Sequence, residues 1–405
     1  MTNRRKKFIK GIIGPPARES DFWDREEELA MIWGALETSS VLLLAPRRFG
    51  KTSIMLKILD EPKPGWKSFY LDTEWIEGPG DFIVELIARL AEKGAVGKIW
   101  GKIQEKVVGA VDRIDEIGVS EFKISLRQRM KKEWREKGTE FLKTLMEVEG
   151  QIILITDELS LLVYRLHRNS KQEAEEFLTW LRGMRHIPEL LPKIRWLMGG
   201  SIGMGQVLKD VGIGSQVIND LQIVNVREFS NEKAREFIKI LLETVGRFRN
   251  VPIGIINKIL EVIECPIPYF VQILIRECLN EMVRQKKSEL SEAIIDKAYK
   301  EGVLAAYNRT YFDHYYERLQ KYYGEEKALL AKNLLTMIAR RGIVSKTELF
   351  KVYDIATQGT GTEDTFSDLL TELENDFYVV LNMENNTYRF ATKVLRDWWL
   401  RFHTF

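Results

Sequence analysis

One segment, residues 41–53, constrains the fold of this chain more than any other. It begins with the apolar run Val-Leu-Leu-Leu, passes through Ala-Pro-Arg-Arg-Phe to Gly50, and continues with Lys51 and Thr52. An apolar run that ends in turn residues is typical of a buried strand, and glycine suits the tight turn that follows. The segment therefore predicts a strand, a loop and the start of a helix, the opening unit of an α/β fold with a parallel sheet.

The same loop matches most of the Walker A pattern, G-x-x-x-x-G-K-[ST], with Ala45 in the place of the first glycine. Backbone N–H groups and the positive end of the next helix would surround the β-phosphate of a nucleotide. Lys51 would contact the β- and γ-phosphates, and the Thr52 hydroxyl would bind Mg²⁺. A chance match at a strand–helix turn is the alternative. The candidate nucleotide-binding residues are Ala45, Pro46, Arg47, Arg48, Phe49, Gly50, Lys51, Thr52 and Ser53.

A second apolar run, residues 152–155, ends in Asp157 and Glu158. Because ligands of parallel sheets bind at the carboxyl ends of the strands, Asp157 is expected beside a Mg²⁺ ion held by Thr52. Glu158 is then placed to act as a general base on the attacking water. Two solvated acids at a strand end are the alternative interpretation.

A third strand, predicted at residues 194–199, is followed by Gly200 and Ser201. A small polar residue here can hydrogen-bond the γ-phosphate or the attacking water, so Ser201 is a candidate sensor. An ordinary Gly-Ser turn is an equally simple interpretation.

Arg182 and Arg185 lie one turn apart on a helix predicted at residues 171–185 and would share a face. An arginine near the γ-phosphate stabilises the charge of the transition state, so both are candidates for such a contact, including on a neighbouring subunit. The alternative is a solvated basic helix end. Arg47 and Arg48 are not favoured for this role.

The composition is that of a soluble globular protein, and a cytoplasmic location is expected. The chain has 405 residues, 45% hydrophobic and 30% charged, and its net charge of +2 gives no strong attraction to nucleic acid or membrane. It contains no apolar run near the length of about 18 residues that a membrane helix requires. Cys265 and Cys278 suit neither a metal spacing nor a disulfide framework.

The pattern divides the chain into successive segments. A basic tail is predicted first, for which a phosphate- or nucleic-acid-contacting arm is the alternative to a solvated segment. The P-loop domain is expected to contain a helical insertion at about 95–138, within which residues 119–125 could form a small hairpin. A helix capped by Thr139 follows the insertion. The predicted segments are the tail 1–20, the P-loop domain 21–227, an all-α lid 228–305, and a linker with a winged-helix domain 306–405.

Taken together, these features resemble the archaeal-type P-loop ATPases between the STAND and AAA+ groups, relatives of the origin-recognition ATPases. The resemblance rests on the Walker motifs, on Gly200 and Ser201, on residues 22–26 (FWDRE) and 265–270 (CPIPYF), and on the C-terminal winged helix. It covers about residues 20–405. It implies an α/β P-loop NTPase with helices on both faces of the sheet, an all-α lid, a winged helix, and the cofactors ATP and Mg²⁺.

The resemblance also implies positions for residues outside the Walker motifs. Residues near Phe22 and Arg25 flank the adenine in that family, and Pro268 at the lid senses whether the nucleotide is a di- or triphosphate. Asp24 and Pro266 stand where the family has glycine. Core packing is the alternative for Phe22, and a proline at the first helical position is the alternative for Pro268.

The presumed recognition helix of the winged helix, residues 362–376, is rich in Asp and Glu and has no Lys or Arg. Because affinity for DNA comes largely from neutralising phosphates, we expect this domain to contact protein rather than DNA. The function predicted is an ATP-hydrolysing switch, bound to ATP or ADP, that has a protein partner or self-associates and has no membrane contact. The alternative is an ATP-regulated DNA-binding protein, and a scaffold without hydrolysis is disfavoured by Glu158.

Overall fold

The computed structural model describes residues 9–92, 100–103, 119–200 and 204–404. The chain forms two compact units. One, the sheet unit, is Arg25–Val226. The other, the helical unit, combines Arg227–Phe405 with the N-terminal segment that ends at Asp24.

The sheet unit is built on a five-stranded parallel sheet in the order β2-β3-β4-β1-β5. The interior strand β3 is buried along Ile152–Ile155, as expected for a strand that is covered on both faces. The predicted α/β fold class is therefore confirmed. The strands are β1 (Val41–Leu44), β2 (Trp66–Asp72), β3 (Gln151–Asp157), β4 (Ile194–Gly200) and β5 (Gln222–Asn225).

Helices follow each of the strands β1 to β4, and the apolar side chains that face the sheet form the core of this unit. Phe22 and Trp23 precede the first α-helix, which begins at Glu26. The helices are α1 (Glu26–Leu36), α2 (Lys51–Asp60), α3 (Pro79–Glu92), α4 (Trp100–Ile103), α5 (Val119–Thr144), α6 (Leu159–Asn169), α7 (Lys171–His186) and α8 (Met204–Val211).

The predicted hairpin at residues 119–125 is wrong, and so is the helix start at Thr139, because α5 runs without a break through both. Alternating apolar residues near its start imitate a strand, but Leu126, Met130 and Trp134 recur at helical spacing and are all buried. The Thr139 hydroxyl donates to the Arg135 carbonyl at 2.7 Å within the helix and caps nothing. Residues 93–99 and 104–118 of the predicted insertion lie outside the described residues.

The N-terminal segment packs in the helical unit. Ile9 is buried, its carbonyl accepts from the Thr244 hydroxyl at 2.9 Å, and the Trp23 ring lies 6.1 Å from Phe237. The expected free tail is therefore wrong for residues 9–20, and residues 1–8 lie outside the described ones. The first helices of this unit are α9 (Asn231–Thr244), α10 (Ile253–Ile263), α11 (Pro268–Gln285) and α12 (Glu292–Lys297), which continues as a π-helical segment over Ala298–Val303.

The rest of the helical unit is a winged helix preceded by a docked helix. Ser345 and Thr362 both form capping boxes, as their sequence positions suggest. Trp398 and Trp399 are fully buried in the core. The elements are α13 (Asp313–Tyr323), α14 (Glu325–Arg341), β6 (Ile343–Ser345), α15 (Lys346–Ala356), α16 (Glu363–Asn375), β7 (Val379–Asn382), β8 (Thr387–Phe390) and α17 (Lys393–His403), with the strands in the order β6-β8-β7.

A buried ion pair attaches α13 to the winged helix. The Arg318 guanidinium donates to Asp376 at 3.0 Å, and the Tyr323 hydroxyl donates to the other oxygen of the same carboxylate at 3.0 Å. Burial alone would lower the pKa of Arg318, but the Asp376 charge and the neighbouring tyrosines together outweigh it and raise that pKa. Part of the predicted linker is therefore an integral element of this domain.

Throughout the described ranges, no helix combines the length and the apolar character that crossing a membrane requires.

Candidate functional site

The loop between β1 and α2 has the backbone of a phosphate-binding loop. Gly50 has φ 94°, a left-handed conformation that glycine adopts without strain, and it precedes the first residue of α2. Phe49 is buried beneath the loop, whereas Arg47 and Arg48 are exposed. The buried Phe49 side chain thus anchors the loop, and the turn at Gly50 orients the N-terminus of α2.

The strand ends bring the Walker residues together. Lys51 Nζ lies 2.8 Å from Asp157 Oδ1 and 2.9 Å from Glu158 Oε1. The Thr52 hydroxyl donates to Asp157 Oδ2 at 2.6 Å. Because Lys51 and Thr52 are more than a hundred residues away in sequence from the acidic pair, only the parallel order of β1, β4 and β3 can place them in contact.

These contacts determine the charges of the site. Burial alone would lower the pKa of Lys51, but the Asp157 and Glu158 carboxylates outweigh it and raise that pKa. Burial alone would raise the pKa of Asp157, but the Lys51 charge and its hydrogen bond outweigh it and lower that pKa. The site therefore holds a cation and an anion at neutral pH.

Glu158 has an unusual backbone that fixes its position. It has φ 56° and lies immediately before α6, and its N–H donates to Asp157 Oδ1 at 2.9 Å. Left-handed conformations are uncommon for residues other than glycine and concentrate at functional sites. About a fifth of its side chain (21%) is exposed, whereas that of Asp157 is buried, so Glu158 is the acid that solvent reaches.

The sequence interpretation missed the residues that support Asp157. The Tyr70 hydroxyl donates to Asp157 Oδ2 at 3.3 Å, and the Thr73 hydroxyl donates to the Asp157 carbonyl at 2.7 Å. Burial and the Asp157 charge raise the pKa of Tyr70 far above its ordinary value, so Tyr70 remains a donor. A Cβ on Gly199 would lie 2.6 Å from Asp157 Oδ1, so this glycine leaves room for the carboxylate.

Arg25, expected near the adenine, contacts the phosphate loop itself. Its guanidinium donates to the Phe49 carbonyl at 3.0 Å and to Glu28 Oε1 at 2.6 Å, and its φ is 82°. The Arg25 side chain is buried. Phe22 and Pro268 belong to the helical unit, where Phe22 is half-buried and Pro268 is the first residue of α11.

The structure separates the two arginine candidates. Arg185 is buried and donates to both oxygens of Asp220, at 2.7 and 2.9 Å, and to the Val217 carbonyl at 2.6 Å. The prediction that Arg185 is solvated or contacts a neighbouring subunit is therefore wrong. Its partner Asp220 is distant in sequence, so the local sequence pattern does not reveal this contact. Arg182 is half-buried, and Ser201 lies outside the described residues.

The residues present fit ATP with Mg²⁺. The Thr52 hydroxyl and the Asp157 carboxylate are oxygen ligands of the kind that Mg²⁺ prefers, and Lys51 with the N-terminus of α2 suits phosphate. Among the described residues no group of three His, Cys, Asp or Glu side chains could hold a metal ion.

Comparison with solved structures matches nearly the whole chain. A Walker-type ATPase of Pyrococcus abyssi aligns with a TM-score of 0.62 and 20% identity over 96% of this chain and 99% of that one. The ORC2 protein of Aeropyrum pernix, solved as ADPNP–ADP complexes, aligns with a TM-score of 0.55 and 12% identity over 96% and 94%. The chain has the fold of the archaeal origin-recognition-like P-loop ATPases. The resemblance drawn from the sequence is confirmed at the level of fold.

No protein-family model matches this chain, and no curated protein matches it either. The likeness to the solved ATPases therefore shows the architecture of this chain, whereas its activity depends on the residues of the site.

Proposed function

We propose that the chain binds ATP with Mg²⁺ and hydrolyses it slowly, and that the nucleotide state controls the binding of a protein partner. One observation carries the proposal: at the carboxyl edge of the sheet Lys51 contacts both Asp157 and Glu158, and Thr52 donates to Asp157. A phosphate-binding cation, a hydroxyl and an acidic pair at a strand edge are the parts that nucleotide hydrolysis requires.

Binding is the task of the loop. The N-terminus of α2 presents backbone N–H groups, and Lys51 adds a full positive charge to them. Asp157 and Glu158 now share this lysine, so nucleotide phosphates would compete with both carboxylates for it. Arg25 would act as a positioning residue, because it holds the Phe49 carbonyl in the middle of the loop.

Thr52 and Asp157 would hold Mg²⁺, which supplies charge neutralisation at the phosphates when bound. Thr73 fixes the Asp157 backbone, Tyr70 donates to its carboxylate, and Gly199 leaves the space beneath it free. These neighbours would limit the rotation of Asp157 when the Thr52 hydroxyl exchanges its hydrogen bond for the metal.

Glu158 would take the proton of the attacking water. It is the more solvent-accessible acid of the pair, and the left-handed turn before α6 holds it in place. Ser201 and Arg182 stay candidates for contacts to the γ-phosphate, and Pro268 stays the candidate lid sensor. Arg185 is not proposed for such a role, because Asp220 already binds its guanidinium.

A protein partner is favoured over DNA by the surface of the winged helix. Glu363, Asp364, Asp368 and Glu374 of α16 are exposed, whereas Glu372 and Asp376 are buried and pair with Lys327 and Arg318. An exposed acidic helix repels DNA phosphates. Binding of this protein to a DNA duplex at low salt, measured by anisotropy, would contradict the choice of a protein partner.

Substitutions in the Walker motifs test the proposal directly. Lys51→Ala should weaken ATP binding by at least about a hundredfold, because it removes a buried charge-assisted contact to phosphate. Glu158→Gln should bind ATP normally but hydrolyse it at least about a hundredfold more slowly. Calorimetry with ATP and Mg²⁺ and a steady-state phosphate-release assay measure the two quantities.

Matched controls are available on α2 and just after it. Lys57 and Glu61 form an exposed i,i+4 pair, and Lys57→Ala and Glu61→Gln should leave both ATP binding and hydrolysis unchanged. Normal turnover by the Glu158→Gln protein would contradict the proposed role of Glu158 in hydrolysis. Normal ATP affinity of the Lys51→Ala protein would contradict the proposed nucleotide-binding site.

A further inference from the structure

Residues 72–78 run from the last residue of β2 to the start of α3 and carry an exposed aromatic side chain. Trp75 is 81% exposed. Tryptophan side chains of this chain are otherwise mostly in the core, as shown by the buried residues Trp23, Trp33, Trp134, Trp180, Trp196, Trp398 and Trp399. Because exposed tryptophan is common at the centres of binding surfaces, this side chain points to a contact with another molecule.

The loop that carries Trp75 is anchored on both sides. Thr73 donates to the Asp157 carbonyl through its hydroxyl at 2.7 Å and through its N–H at 3.2 Å. Arg165 of α6 donates to the carbonyls of Glu74 and Ile76, and the Ile76 side chain is buried. Since the backbone on either side of Trp75 is fixed, little conformational entropy would be lost when a partner binds.

The charge around Trp75 is acidic. Asp72, Glu74 and Glu77 are all exposed, and residues 72–81 contain no lysine or arginine. Arg165 of α6 faces the loop, and its guanidinium is bound to two backbone carbonyls. An aromatic face between carboxylates attracts a cationic side chain and repels phosphate.

We propose that residues 72–78 are a docking site for a basic polypeptide segment, in which a lysine or arginine side chain lies on the Trp75 ring between Glu74 and Glu77. Arginine fits this arrangement well, since its planar guanidinium stacks on aromatic faces and pairs with carboxylates. The Glu74, Trp75 and Glu77 side chains are not among the proposed nucleotide-binding residues, although Thr73 of the same segment holds the Asp157 backbone. Occupation of the docking site does not depend on whether the chain hydrolyses ATP.

The test uses a fluorescein-labelled peptide of alternating arginine and glycine, titrated with the full-length protein without nucleotide and followed by anisotropy. Trp75→Ala should weaken binding about fivefold or more, although it removes no charge. Trp75→Phe should retain most of the affinity, because it keeps an aromatic face. The double variant Glu74→Gln/Glu77→Gln should weaken binding and reduce its dependence on salt.

The matched control is the double variant Glu363→Gln/Asp364→Asn, which removes the same charge from the exposed start of α16 and should leave peptide binding unchanged. Unchanged melting temperatures would show that the Trp75 and Glu74/Glu77 variants are folded. Wild-type affinity of the Trp75→Ala protein would overturn the proposal. So would Trp75-dependent binding of a labelled single-stranded DNA, which would make the loop a nucleic-acid contact.

Discussion

At the scale of single residues, the site is held by contacts that link distant parts of the sequence. Arg25 precedes the phosphate loop by one helix and one strand, yet its guanidinium donates to the Phe49 carbonyl within that loop. Tyr70 and Thr73 come from the end of β2 and hold Asp157 at the end of the neighbouring β3. The Walker residues thus depend on side chains that no Walker pattern includes.

Arg25→Met should weaken nucleotide binding about three- to tenfold, because the Phe49 carbonyl loses a charge-assisted hydrogen bond that fixes the loop. Since the loop contacts phosphates, the loss should be equal for ATP and GTP. Calorimetry with both nucleotides measures this.

Arg168→Met is the matched control, because Arg168 is exposed near the end of α6 and outside the phosphate loop, and it should leave both affinities unchanged. A selective loss of ATP affinity in the Arg25→Met protein would instead identify Arg25 as an adenine contact, as the family resemblance implies, and would contradict the positioning role.

At the scale of elements, α13 and α16 depend on the same buried carboxylate. Asp376→Asn should destabilise the helical unit by about 3–5 kcal/mol, because it leaves the buried Arg318 charge without its partner. Urea unfolding followed by circular dichroism measures the change.

Glu317→Gln provides the comparison, since Glu317 is exposed on α13 and its substitution should change stability by less than about 0.5 kcal/mol. Equal stability of the two variant proteins would show that the Arg318–Asp376 pair does not hold α13 in place.

Local patterns predicted the elements best where residue type and neighbours agree. The Walker strands follow from sequence, because the burial of a short apolar run depends on a few neighbouring residues. The start of α5 did not, since short apolar alternation suits a strand as well as a helix. Contacts such as Arg185 with Asp220 depend on which elements become neighbours, and no local pattern contains that information.

At the scale of the whole molecule, the two ends of the chain build one unit. Trp23→Ala should reduce the stability of the helical unit by about 3–5 kcal/mol, because it removes a large buried side chain that packs near Phe237. Hydrogen exchange should show faster exchange in α9, whereas β3 of the sheet unit should keep its protection.

Trp75→Ala is the control, because the same substitution at an exposed position should leave exchange in α9 unchanged. Unaltered exchange in α9 of the Trp23→Ala protein would show that the N-terminal segment is not a structural part of this unit.

The position of residues 9–24 also has a consequence for the order in which the protein is made. This segment leaves the ribosome before the sheet unit does, but its partners in α9 are synthesised only after the entire sheet unit. Since domains generally fold as units during synthesis, the sheet unit can form before the segment packs against α9, while Ile9 and Trp23 are still exposed. A nascent chain that stalls before α9 would therefore display these apolar side chains to chaperones.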